Sequence, residues 1–167
     1  MSGRDLEALA IGLYEGVEED YLEYRINQVA YLGEQLSKKG VPIILPTGGH
    51  GVYVDAQKFY PNIPQSEFPG QAMVVELFKT GGVRGVELGS CAFSKKNLET
   101  GEIIFPDLEL VRLTVSRRVY TNRHMDVVVN ALADVFERRN EMKGLKLTYE
   151  GPIISLRHFT AKFEPIH

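Results

Sequence analysis

The sequence predicts an α+β fold in which a small antiparallel or mixed sheet carries helices on one side. Three observations predict it. Apolar residues recur at helical spacing from Leu6 to Leu36 and again from Met125 to Phe136. A clean two-residue alternation runs through Glu109–Val115. Short β-branched runs bounded by glycine and proline fill much of the remainder, which suits a two-layer arrangement better than a helical bundle.

The first helix is read from Leu6, Leu9, Ala10 and Leu13, with Ser2 or Asp5 as its cap and Gly16 as its interruption. A longer helix follows, with Leu22, Ile26, Val29, Leu32 and Leu36 on one stripe. Lys38-Lys39-Gly40 places cations at the negative helix end and then a glycine, and Pro42 cannot continue the helix. Val41–Leu45 reads as a strand, 46–51 as a glycine-rich turn and Val52–Val54 as the next strand. Pro61–Pro69 reads as a loop, Gln71–Thr80 as a helix closed by Gly81-Gly82, Val83–Leu88 as a strand and Ser94–Asp107 as a polar loop. In the alternating segment Val111, Leu113 and Val115 share one face, and Leu110, Arg112 and Thr114 share the other. Thr121 or Asn122 then caps an amphipathic helix ended by Lys143-Gly144. Leu145–Tyr149 and Leu156–Phe163 read as the last two strands.

A chain of 167 residues is long enough for one core. Its net charge of -3 gives no electrostatic reason to expect a nucleic-acid partner. No apolar run approaches the roughly 20 residues of a membrane span. The single cysteine, Cys91, excludes an intrachain disulfide and suits a reducing compartment, so the cytoplasm is the expected location. His50, His124, His158 and His167 show no ligand spacing with Cys91 or carboxylates, so no metal site is expected. Cys91 and His124 are assigned to structure.

Four features bear on chemistry. Arg112 lies mid-strand, where a guanidinium can fork onto a carboxylate, although a solvated sheet face would also hold it. Gly48-Gly49-His50-Gly51 allows close backbone approach but lacks the lysine and hydroxyl of a phosphate loop. A tight strand-to-strand turn explains it better, with His50 as a proton carrier or a hydrogen-bonded turn residue. His158 and Phe159, in the last strand, suit an apolar pocket with one polar contact, or plain packing. Lys95 and Lys96 follow Ser94 in a polar segment. An exposed ammonium is a poor nucleophile, so they are rejected as a cofactor site.

Eight segments in register carry a resemblance. They are Arg4–Ala8, Gly48–Ala56, Phe68–Ala72, Gly81–Arg84, Val86–Ser90, Leu110–Thr114, Tyr120–Asp126 and Leu156–Lys162. Together they are similar to the closing portion of the β-eliminating lyases, the family of tryptophanase and tyrosine phenol-lyase, over essentially the whole chain. The resemblance implies the small domain of a fold-type-I pyridoxal-phosphate enzyme over 41–167, with 1–40 as a helical lead-in. It also implies that Arg112 pairs with the substrate α-carboxylate. The phenol-cleaving branch carries Glu-Arg-Gly where this chain has Glu87-Leu88-Gly89, and two phenylalanines where it has His158-Phe159. Leu88, His158 and Phe159 are therefore expected at an aromatic side-chain pocket that suits indole better than phenol. Gly48, Gly49 and His50 are expected as supporting turn residues.

The family's cofactor lysine, in a Ser-x-Lys-Lys-Asp segment, aligns upstream of this chain, as do the phosphate loop and a carboxylate for the monovalent cation. No catalytic residue, cofactor lysine or metal ligand is thus expected here, and the chain alone is expected to be inactive. Expected partners are a large cofactor-binding domain or chain, an aromatic amino acid and further copies of the protein. A non-catalytic binding or assembly module is the competing expectation.

Overall fold

The computed structural model describes residues 1–167, the side chain of Ser155 excepted. Ser2 accepts from the Asp5 amide and Asp5 returns the bond, so α1 (Gly3–Glu15) starts on a capping box. It buries no residue. Helix α2 (Glu19–Lys38) ends at Gly40, whose φ of 75° suits a residue without Cβ. Its inward stripe differs from the expected one. Val29, Leu32 and Leu36 are buried, but Leu22 and Ile26 are exposed and Arg25 and Gln28 point inward instead. The reason is polar: Arg25 donates to the Val115 and His50 carbonyls and Gln28 to the Tyr120 carbonyl. These bonds satisfy the carbonyls where the sheet ends.

Val41–Leu45 is not a strand. Pro42 and Pro46 remove amide donors at both ends, and a single bridge, Ile43 to Val54, remains. Strand β1 (Gly51–Asp55) runs into a helical turn, α3 (Ala56–Phe59), capped by Asp55. A 3-10 turn over Gln65–Glu67 interrupts the expected loop and leads into α4 (Pro69–Gly81), with Pro69 at its first turn. The expected strand at 83–88 is shorter, β2 (Val86–Leu88). It is followed by the helical turn α5 (Ser90–Phe93). Within the expected polar loop, β3 (Lys95–Lys96) and β4 (Ile103–Ile104) form a small hairpin. Strand β5 (Leu110–Thr114) and helix α6 (Asn122–Glu137) match the alternating and amphipathic patterns, but α6 ends before the expected Lys143-Gly144 stop and a 3-10 turn over Arg139–Glu141 follows. Strand β6 (Leu145–Tyr149) pairs with β7 (Lys162–Pro165). The strand expected over Leu156–Phe163 is instead a 3-10 turn, a helical turn α7 (Arg157–Thr160) and only then β7.

The main sheet has the order β1-β5-β2, antiparallel throughout. One face carries Val52, Val54, Val111 and Leu113, all buried against α2, α4 and α6 with Leu32, Leu36, Leu77 and Leu132. Each such side chain contributes roughly 1.5–3 kcal/mol by leaving water. The helices therefore cover one side of the sheet, as expected, and leave the other open.

Candidate functional site

The open face is fixed by strand register. Arg112 on the central strand lies opposite Tyr53 on β1 and Val86 on β2. Leu88 is opposite Leu110 in the next row, so Leu88 is a diagonal neighbour of Arg112 on the same face. Alternation thus brings Arg112 and Leu88 together. His50 joins from the turn before β1: its Nε2 lies 3.2 Å from the Tyr53 hydroxyl. Gly48 and Gly49 are exposed in that turn.

The guanidinium of Arg112 enters no ion pair among the described residues. Its Nε is buried without a hydrogen-bond partner. A buried donor left unpaired costs about 1–3 kcal/mol, so a carboxylate arriving there would recover that cost and add two charge-assisted bonds.

His158 and Phe159 do not lie in a strand as expected. They are consecutive residues of α7 with ring centroids 3.9 Å apart, and Phe159 is 78% exposed. Their position is set by Arg157, which precedes them in α7. Arg157 is 6% exposed. Its Nε donates to the Cys91 carbonyl at 2.9 Å, one Nη to the Ser90 carbonyl at 2.6 Å and the other to Glu150 at 3.0 Å. An apolar cavity of about 220 Å³ lies beside it, walled by Phe68, Phe105, Leu147 and Ile154. Neither Arg112 nor Leu88 lines that cavity.

Two buried carboxylates were missed in the sequence. Glu109 accepts from the Ser90 amide at 2.8 Å, the Ser90 hydroxyl at 2.5 Å and the Gly70 amide at 3.3 Å. A Cβ on Gly89 would stand 2.4 Å from the Glu109 carboxyl carbon, so only glycine leaves room for it. Glu87 accepts from the Cys91 and Ala92 amides at 2.9 and 3.0 Å. Burial pushes its carboxyl up to about 7, against the pull of those amides and with help from Glu109. A signal for both existed: alternation puts Glu109 on the face of Val111 and Glu87 on the opposite face from Val86 and Leu88.

Burial also pushes the Cys91 thiol up to about 11, which leaves it a poor nucleophile. His124 caps α6 through Thr121. Every lysine is exposed, Lys95 and Lys96 included. No group of three or more metal-ligating side chains occurs among the described residues, and no described helix is long and apolar enough to cross a membrane.

The α+β fold, with its small antiparallel sheets and helices on one side, is like the small domain of a fold-type-I pyridoxal-phosphate enzyme. Residues 8–131 match the family model described as β-eliminating lyase. The chain is 51% identical to a tyrosine phenol-lyase of Symbiobacterium thermophilum over 166 residues, covering 99% of itself and 36% of that protein. It is 51% identical to a probable tryptophanase of Aeropyrum pernix over 167 residues, 99% of itself and 35% of that protein. It is 47% identical to a tryptophanase of Salinibacter ruber over 165 residues, 99% of itself and 34% of that protein. The chain belongs to the β-eliminating lyase family. It spans about a third of the length of these curated relatives, and the family implies pyridoxal phosphate in the complete enzyme.

Proposed function

We propose that this chain is the C-terminal part of a pyridoxal-phosphate-dependent lyase that cleaves tryptophan to indole, pyruvate and ammonia. Residues 41–167 act as the small domain and residues 1–40 as its helical lead-in. The remainder of the enzyme supplies the cofactor lysine, the monovalent-cation site and the large domain, and copies of the whole associate in the cytoplasm. The cofactor, when bound there, delocalises the electrons left as the Cα proton is removed. Arg112 holds the substrate α-carboxylate in two parallel hydrogen bonds and so fixes the Cα relative to the reacting groups. Leu88, His158 and Phe159 contribute to the pocket for the side chain, with Tyr53, His50, Gly48 and Gly49 supporting the anchor.

The single observation that carries this reading is the unpaired Arg112 guanidinium on an open sheet face. Tryptophan is favoured over tyrosine because apolar Leu88 offers nothing to a phenolic hydroxyl. Tyrosine is the second reading, since a tyrosine phenol-lyase is among the relatives at 51% identity.

The test combines the chain with the cofactor-bearing portion of the family, pyridoxal phosphate and either amino acid. Indole release is expected, with phenol release much slower. Arg112→Gln is expected to raise KM by roughly 100-fold, the effect of losing about 3 kcal/mol of charge-assisted binding. No turnover in the combined protein, or an unchanged KM in the variant, would refute the proposal.

A further inference from the structure

The segments assigned above to the two ends of the substrate are connected through buried hydrogen bonds. Glu109 lies three residues before Arg112 and immediately precedes β5. Its carboxylate receives both the amide and the hydroxyl of Ser90, two residues beyond Leu88. The Ser90 and Cys91 carbonyls in turn receive the Arg157 guanidinium, next to His158 and Phe159. Ser90 is fully buried and Glu109 1% exposed, so water does not compete for these bonds. The fork geometry of arginine, with Nε and one Nη donating side by side to successive carbonyls, fixes angle as well as distance. Lysine cannot reproduce it.

We infer that Arg157 is a positioning residue: with Ser90 and Glu109 it sets the spacing between the carboxylate anchor on β5 and the ring-contacting residues on β2 and α7, and so governs discrimination between large and small substrate side chains. This rests on the reading of Arg112, Leu88, His158 and Phe159 given above. A merely structural Arg157 would instead affect all substrates alike.

Two measurements separate these. In the combined enzyme, Arg157→Lys is expected to lower kcat/KM for tryptophan about tenfold, the effect of losing one charge-assisted bond of roughly 1.4 kcal/mol, while S-methylcysteine, which has no ring to place, changes by less than about threefold. In the 167-residue chain alone, amide hydrogen exchange should quicken together at 90–93 and 157–160 while β1 and β5 stay protected. Ser90→Ala keeps the carbonyl and removes the hydroxyl bond to Glu109. It should shift the same substrate ratio by a smaller factor, and it keeps the test open should Arg157 variants not fold. An equal fall for both substrates overturns the inference, as does faster exchange confined to 157–160. If the unaltered enzyme turns over neither substrate, the reading of the site fails, and the coupling stands or falls on whether exchange at 90–93 follows the change at 157.

Discussion

The Tyr60 hydroxyl and the Arg112 Nε are both buried without a hydrogen-bond partner among the described residues, yet their surroundings give them opposite meanings. Tyr60 is 1% exposed, and its ring meets Phe59 edge-on at 4.8 Å within the core. Burial, reinforced by Glu76, holds its phenol well above the usual range, so it stays neutral at any working pH. No ligand reaches it, and the hydroxyl is a desolvation cost alone. Tyr60→Phe is therefore expected to stabilise the chain by on the order of 1 kcal/mol, read as a higher urea midpoint at an unchanged slope. A loss of stability of that size would mean that the hydroxyl is satisfied. Arg112 sits on a face that no helix covers, and the carboxylate proposed above would satisfy the same kind of orphan there.

At the scale of elements, the β2–α5 corner carries a pH dependence. Glu87 has an ordinary value of 4.5 and is raised to about 7 by burial. A carboxyl raised on folding favours the folded state while protonated. Its contribution is complete below about 4.5 and is lost as pH rises through about 7. The span corresponds to on the order of 3 kcal/mol. The chain is expected to lose stability between pH 5 and pH 8 by up to that amount, and Glu87→Gln to flatten this slope. Urea melts at the two pH values check it, and a variant with the unaltered slope would discharge Glu87 as the cause. The corner also shows what a sequence can reveal. Strand β5 and helix α6 were legible because their apolar positions repeat at a fixed period and face a single core. Arg112 was legible on the face opposite Val111 and Leu113 for the same reason, whereas its companionship with Leu88 needed the β2–β5 register that the sequence does not express. Helix α7 was not legible: Leu156–Phe163 contains enough β-branched and aromatic residues to suggest a strand, and what bends it is Arg157 reaching the Ser90 and Cys91 carbonyls, far away in sequence. The inward turn of Arg25 and Gln28 on α2 has the same origin, because carbonyls of the Val115–Tyr120 segment need donors that local periodicity does not express.

For the whole molecule, the arrangement of helices divides the chain into a part that folds around the sheet and a part that does not touch it. Val29, Leu32 and Leu36 bind α2 into the core. Helix α1 has no buried residue, and Leu6, Leu9, Ile11 and Leu13 are each about half or more exposed. An apolar helix face in water contributes nothing to the stability of the rest and favours association. The chain spans only about a third of its relatives' length, which leaves ample polypeptide to cover this face in a complete lyase. Removing residues 1–16 is therefore expected to leave the thermal midpoint of the remainder within about 2 °C, since roughly 1 kcal/mol shifts a domain of this size by about 2–4 °C. The same shortening should reduce self-association measured by sedimentation at matched concentration. A midpoint lowered by 5 °C or more would show that α1 packs on the sheet-bearing part after all. Unchanged association would place the sticky surface elsewhere, among the other exposed apolar side chains such as Phe93, Val119 and Phe159.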